Sequence, residues 1–187
     1  KTAYEIVSRD WSSDVCSSDL VRAIGGVPLA PRRLQADAVF DTENGQLSAR
    51  GEVLRVRLED GGHRLTFKRP APHPTMKLRE EIETTIGDAG RVVSILESLG
   101  FRIAFRYEKY REEFGLEGVV IAVDETPIGT FVEIEGSENG ISAAAGALGR
   151  SPSDFVLESY RGLFVRWCLE RGTTPTHMVF PGGAATP

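Results

Sequence analysis

Two glutamates stand two residues apart in residues 123–136, VDETPIGTFVEIEG. A Pro/Gly turn separates the acidic end of one strand from a second strand. In that second strand Phe131, Glu133 and Glu135 share one face, and Thr130, Val132 and Ile134 the other. Neighbouring carboxylates on a strand repel each other, so such a face is open to water or is compensated by cations. The chain has cations in matching positions: Arg55, Arg57, Lys68, Lys109 and Arg111 all fall on the polar faces of alternating runs. Glu81, Glu83 and Asp124 repeat the acidic theme. Guanidinium groups fork onto phosphate oxygens, lysines add point charge, and carboxylates supply the oxygen ligands that magnesium or manganese take. Both signs in one cavity suit a metal-bound triphosphate.

The elements that must position these groups are mostly strands. Residues 34–41 read as a strand, and Asn44-Gly45 as a hairpin signal. Residues 52–59 (EVLRVRLE) alternate, with Leu54, Val56 and Leu58 opposite Arg55 and Arg57. Residues 64–68 and 76–84 alternate likewise, around a proline loop at 69–75. Asp88 caps a helix with apolar positions Val92, Val93, Ile95, Leu96 and Leu99, which Gly100 stops. Strands follow at 102–112 and 118–124, then the opening hairpin and a short helix at 141–148. Ser151, Pro152 and Asp154 predict the start of a long helix whose apolar face holds Val156, Tyr160, Leu163, Phe164, Trp167 and Cys168, ended by Gly172. Residues 21–26 read as a helix end closed by Gly25-Gly26. About seven strands joined mainly by hairpin-length turns predict an antiparallel, barrel-like α+β domain.

At 187 residues the chain is one domain with room for a core. A net charge of −5 argues against nucleic-acid binding through a basic surface. No apolar run is long enough for a membrane span. Cys16 and Cys168 make neither a disulfide framework nor a zinc spacing, so a reducing, cytoplasmic setting is expected. Cys168 reads as packing, and Tyr160 and Trp167 as core. His63, His73 and His177 have no metal spacing and read as surface positions. Residues 1–20 carry a near-repeat, SSDV then SSDL, and resemble the translation of a sequencing adapter; a natural disordered tail is the alternative. The expected division is therefore 1–20 as a non-native or disordered segment, 21–172 as the domain, and 173–187 as a frayed tail.

Alternation alone favours an open sheet with one wet, charge-paired face. The competing architecture is a closed barrel with a polar lumen and helices outside. A resemblance favours the barrel. LRVR (54–57), TFK (66–68), REEIE (79–83), KYR (109–111), VDE with its following glycine (123–125 and Gly129) and FVEIE (131–135) occur in an order and spacing similar to the CYTH domain family. This family comprises the triphosphate tunnel metalloenzymes, including class IV adenylyl cyclases and thiamine triphosphatases. The resemblance spans about residues 21–172 and implies an eight-stranded antiparallel tunnel whose first strand is missing here. It implies that Arg55, Arg57, Lys68, Lys109 and Arg111 bind the triphosphate. It also implies that Glu133, Glu135, Asp124 and Glu81 lie at a magnesium or manganese site. Lys68, Arg111 and Glu81 are expected to carry the chemistry. Arg79 and Glu83 would share the luminal face with Glu81. The family's leading ExExK strand, whose glutamates help hold metal and whose lysine touches substrate, has no counterpart in residues 1–20.

Phosphoryl transfer needs positioning, charge neutralisation and an in-line nucleophile. Water as nucleophile gives a triphosphatase acting on tripolyphosphate, thiamine triphosphate or a nucleoside triphosphate. Attack by the 3′-hydroxyl of ATP on its own α-phosphorus gives cyclic AMP. A polyphosphate- or nucleotide-binding module without catalysis is a third reading. The partner is a small-molecule triphosphate, with a homodimer left open as the assembly.

Overall fold

Each alternating run becomes a strand of one antiparallel sheet. The structure, a computed structural model, describes residues 17–71, 79–156 and 158–182, and the backbone of residues 3–7. Its strands are β1 (Ala3–Val7), β2 (Val27–Thr42), β3 (Val53–Glu59), β4 (His63–Pro70), β5 (Arg79–Ile86), β6 (Phe101–Leu116), β7 (Val119–Thr126), β8 (Gly129–Gly136) and β9 (Phe155–Val156). They pair in the order β5-β4-β3-β2-β6-β7-β8-β1-β9, nine strands among the described residues. The expected α+β architecture is therefore present. Among the described residues β5 and β9 stand at the two ends of that order without a hydrogen-bonded ladder between them. The sheet is thus curved around a lumen without closing into a complete barrel.

The apolar faces point outward and are covered by helices. Leu54, Val56, Leu58 and Leu65 join Ala38 and Phe40 against α3 (Ala89–Ser98), which buries Val93 and Leu96. Ile95 and Leu99, expected on the same apolar stripe, are exposed, because α3 meets the sheet along a narrower line than its sequence allows. Asp88 caps α3 as expected, its side chain accepting from the Arg91 amide. On the other half, Phe114, Ile121, Val123, Val132 and Ile134 pack under α1 (Ser17–Ala23) and α4 (Glu138–Ala147), which contribute Val21, Ile141, Ala144 and Ala145. A third cluster joins Phe105, Tyr107 and Phe131 to α5 (Tyr160–Glu170) through Tyr160, Leu163, Phe164 and Cys168. No helix among the described residues is long and apolar enough to cross a membrane.

Several local expectations change. Asn44-Gly45 does not make a two-residue hairpin. Gly45 adopts φ 67° and leads into α2 (Gln46–Ala49), whose Leu47 and Ser48 amides donate to the Asp41 carboxylate at 2.8 and 3.0 Å. The capping box at Ser151 exists but starts only a 3-10 turn, Pro152–Asp154. The chain then extends as β9, where Phe155 and Val156 pair with Ile6 and Glu5 of β1, and α5 begins later with Ser159 as its cap. Val156 therefore belongs to a strand and not to the helix.

Residues 173–182 are not frayed. Beyond Tyr110 the edge of β6 has outrun β7, and the chain around Met178 takes that place. The Glu108 amide donates to the Met178 carbonyl at 2.8 Å, the Met178 amide donates to the Arg106 carbonyl at 3.0 Å, and Met178 is fully buried. Free strand edges recruit such partners. The same logic applies to the amino-terminal segment. Ala3–Val7 pairs along β8, and Ser17 and Ser18 are buried in α1. The place of a first strand beside β8 is filled, by a strand without the ExExK pattern. Arg69 and Pro70, expected in the proline loop, extend β4 instead, whereas Trp11, Cys16, residues 72–75 of that loop with His73, the start of the 76–84 run and residues 183–187 lie outside the described residues.

Candidate functional site

The charged faces turn inward, and their burial decides between the two readings of the alternation. Arg55, Arg57, Lys109 and Arg111 are all buried, as are Asp37, Asp124 and Glu133. Charges on a wet sheet face are not buried, and buried charges require partners. The lumen is a cavity of ≈ 430 Å³. The basic residues Arg55, Arg57, Lys68, Lys109 and Arg111 line it, together with Glu81, Glu133 and Glu135. Every candidate site residue except Asp124 therefore lines a single space, and Arg79 and Glu83 line it too.

Asp124 lies immediately behind that lining with no exposed surface. Its Oδ1 accepts from Arg111 Nε at 2.6 Å, and its Oδ2 accepts from Lys109 Nζ at 2.7 Å, Arg111 Nη2 at 2.5 Å and the Tyr160 hydroxyl at 2.6 Å. The register explains the cluster: Arg111 faces Asp124 across the β6–β7 ladder. With four donors on its two oxygens, Asp124 holds the cations in place and has little lone-pair capacity left for a metal. This differs from its expected place among the metal-proximal acids.

Arg111 also donates to Glu133, and Lys109 Nζ is 3.8 Å from the same carboxylate. Burial alone would raise the Glu133 pKa, but the Arg111 and Lys109 charges overcome it and hold the carboxyl well below the usual range. Burial and the Arg111 charge pull the Lys109 ammonium down, against the Asp124 and Glu133 carboxylates. Lys68 pairs with Glu81 at 3.0 Å across the β4–β5 ladder.

A second buried clamp has no motif in the sequence. Asp37 on β2 faces Arg57 across the β2–β3 ladder and accepts from its Nε and Nη2 at 2.9 and 3.0 Å. Arg55 is held more loosely. Its Nε lies 3.4 Å from Asp37, and its Nη1 and Nη2 reach the Tyr107 and Thr66 hydroxyls at 3.4 and 3.3 Å. Arg55 is thus a buried guanidinium with only long contacts, which leaves it available to an anion. The alternation of Gln35, Asp37, Val39 and Asp41 was the only signal for this inward face of β2. Tyr160 is buried, as expected of a core residue, but its hydroxyl reaches Asp124 and its ring lies 4.9 Å from Lys109 Nζ. Aromatic side chains Phe105, Tyr107 and Tyr160 wall one end of the cavity. Cys168 packs as expected, and His177 accepts from the Arg106 amide at 3.2 Å.

Asp37 makes a pH-dependent contribution to stability. Burial opposes its ionisation, yet the Arg57 and Arg55 charges lower its pKa from 3.8 to about 2. A depressed folded-state pKa stabilises above the unfolded value and loses that stabilisation as pH falls toward the folded one. The stability gap between the native protein and Asp37→Asn, measured by urea unfolding, should be full at pH 6 and shrink by about 2 kcal/mol toward pH 2.

Among the described residues no three His, Cys, Asp or Glu side chains are gathered closely enough to hold a metal ion. The carboxylates of Glu81, Glu133 and Glu135 nevertheless line one cavity, and oxygen donors of this kind are what magnesium and manganese take. The Glu135 side chain has no hydrogen-bond or ion-pair partner among the described residues. The donor set fits a hard divalent cation in kind, although its members are partly engaged by arginine and lysine. β1 places the backbone of Glu5 in register with Glu133.

Comparison with known proteins agrees with this geometry. The CYTH domain family model matches residues 27–148. A Methanocaldococcus jannaschii protein named as a proposed adenylate cyclase is 31% identical over 118 residues, covering 63% of this chain and 67% of that protein. Among solved structures, a proposed adenylate cyclase from Vibrio parahaemolyticus superposes with a TM-score of 0.68 at 19% identity, covering 86% of this chain and 95% of that one. A Hippeastrum protein, described as a proposed adenylyl cyclase with a dominant triphosphatase activity, gives a TM-score of 0.61 at 18% identity over 92% and 95% of the two chains.

Proposed function

Because the chain belongs to the CYTH domain family, we propose that it binds triphosphate-containing compounds in this cavity and hydrolyses them with the help of a divalent cation. The substrate class is tripolyphosphate, thiamine triphosphate or a nucleoside triphosphate. The observation that carries the reading is the convergence of Arg55, Arg57, Lys68, Lys109 and Arg111 on one ≈ 430 Å³ space that also holds the carboxylates of Glu81, Glu133 and Glu135. A cavity of this size accommodates a small ligand.

In this reading the lumen is self-paired until a polyanion enters. Arg55 and Lys68 meet the phosphate chain first, because Arg55 has only long contacts and Lys68 is half-buried with a single carboxylate partner. Arg111 shares its donors between Asp124 and Glu133, so it turns toward phosphate without losing its anchor on Asp124. Glu133, Glu135 and Glu81 hold the cation, with Asp124 supporting from behind. Magnesium or manganese bound there supplies charge neutralisation and polarisation of the phosphoryl group.

A second reading, formation of cyclic AMP from ATP, is favoured by the name of the 31% identical relative. Incubation with magnesium or manganese and each of tripolyphosphate, thiamine triphosphate and ATP separates them. Release of orthophosphate supports hydrolysis, and cyclic AMP with pyrophosphate supports the cyclase. Binding without turnover in every pairing overturns both and leaves a non-catalytic binding module.

A further inference from the structure

The two ends of the lumen carry their charges differently. Near the β3–β4 turn, side chains of alternating sign bridge five neighbouring strands: Glu113 on β6, Arg33 on β2, Glu59 on β3, Arg64 on β4 and Glu83 on β5. Arg33 meets Glu113 at 2.5 Å and Glu59 at 3.1 Å, and Arg64 meets Glu59 at 3.1 Å and Glu83 at 3.0 Å. Three carboxylates thus hold two guanidinium groups, and this end is self-paired with negative charge in surplus. A polyanion arriving here is repelled, and it reaches an arginine only by displacing carboxylates from both sides of it.

At the end walled by Phe105, Tyr107 and Tyr160, two cations that line the cavity have no carboxylate partner among the described residues. They are Arg161, in the first turn of α5, and Arg79, the first residue of β5. Arg79 donates only to the Gly51 carbonyl, at 3.2 Å, and Arg161 makes no hydrogen bond or ion pair with a described residue. The acids lining this end are engaged elsewhere: Asp41 by the amides of α2, Glu52 by Arg50 at 2.8 Å and Glu81 by Lys68 at 3.0 Å. Arg79 begins β5 and Arg161 follows β9, so one stands on each side of the seam where the sheet has no ladder. Arg161 is exposed and Arg79 half-buried, so both are open to water.

A hydrated guanidinium exchanges water for phosphate oxygens without breaking an ion pair. We propose that the α5 end is the entrance of the lumen, and that Arg161, with Arg79, steers the triphosphate to it. Within the lumen Arg55 and Lys68 remain the first groups to bind the chain, and Lys68 already lies toward this end through its pair with Glu81 on β5. The assignment rests on the triphosphate reading above, and it holds whether the bound compound is hydrolysed or cyclised. Steering acts on encounter and not on the chemical step, so it belongs to kcat/KM and fades as salt screens exposed charges.

The test compares the full chain with Arg161→Glu, Arg161→Lys and, at the opposite end, Arg64→Gln. Orthophosphate release from tripolyphosphate with magnesium is measured at low and high salt, together with tripolyphosphate binding by calorimetry. Arg161→Glu is expected to lower kcat/KM about tenfold at low salt and less than about threefold at about 0.5 M salt, with kcat within about twofold of native. Glutamate suits the first turn of a helix, so α5 keeps its fold. Arg161→Lys should stay near native, and Arg64→Gln should change kcat/KM less than about twofold. If Arg64→Gln does not fold, the Arg161 variants decide alone. Unchanged kcat/KM in Arg161→Glu, a loss that salt does not reduce, a loss confined to kcat, or an equal loss in Arg64→Gln overturns the entrance while native binding leaves the triphosphate reading standing. If the native chain binds tripolyphosphate without turnover, the same fold-changes are read in the dissociation constant. If the native chain binds no tripolyphosphate, the triphosphate reading fails and the entrance fails with it.

Discussion

Glu133→Gln is expected to reduce metal-dependent turnover by about 10²–10³-fold while leaving the circular dichroism spectrum native. Glu133 borders the cavity and is the acid that meets both Arg111 and Lys109 from the luminal side. A glutamine keeps the volume and one acceptor oxygen, so Arg111 still finds a partner there and remains anchored on Asp124. What disappears is a negative charge that the neighbouring cations keep ionised. In the proposed site that charge belongs to the divalent cation. The loss should therefore appear in kcat and in the metal concentration needed for half-maximal rate, beyond the lowering of the unfolding midpoint that neutralising a buried, ion-paired carboxylate brings. Unfolding of the variant, or full activity, would contradict the assignment of Glu133.

Asp124→Ala has the largest expected effect on stability, about 3–5 kcal/mol in urea unfolding. The native carboxylate neutralises two cations that are themselves buried, and it receives the Tyr160 hydroxyl that ties α5 to the lumen. Alanine strands Lys109 with a carboxylate 3.8 Å away and leaves a cavity beneath Arg111. Asp124→Asn should recover only a small part of the loss, because an amide restores shape without charge. Tyr160→Phe, by contrast, removes the hydroxyl's hydrogen bond to Asp124 and leaves its charge in place. A loss below 1 kcal/mol for Asp124→Ala would show that the cluster is not the buried, mutually dependent unit described here.

The sequence displayed the strands and their charged faces because alternation is a local property. LRVRLE, KYR and FVEIE each carry it within a few residues, and the side chains they offer do converge on one cavity. It could not show which charges neutralise one another, since that depends on register between distant strands. Arg111 and Asp124 are paired by the β6–β7 ladder, and Asp37 and Arg57 by the β2–β3 ladder. Asp37 carries no signal of its own, because an acid in a short apolar strand resembles any outward polar position. Helix boundaries failed where a local signal met a tertiary demand. Ser151 offers a complete capping box, but the chain beyond it is claimed by β1 as a strand partner. Met178 shows the same limit, for nothing in its neighbours announces that β6 has a free edge to fill.

The central claim, that the lumen is a triphosphate site, is tested most directly by isothermal titration calorimetry of the full chain with tripolyphosphate, pyrophosphate and orthophosphate at two salt concentrations. The structure predicts saturable binding of tripolyphosphate, at least tenfold tighter than pyrophosphate and tighter still than orthophosphate. It also predicts that the affinity falls as salt rises and is lost in Arg55→Ala. Equal affinity for the three anions, or no binding at low salt, would contradict it.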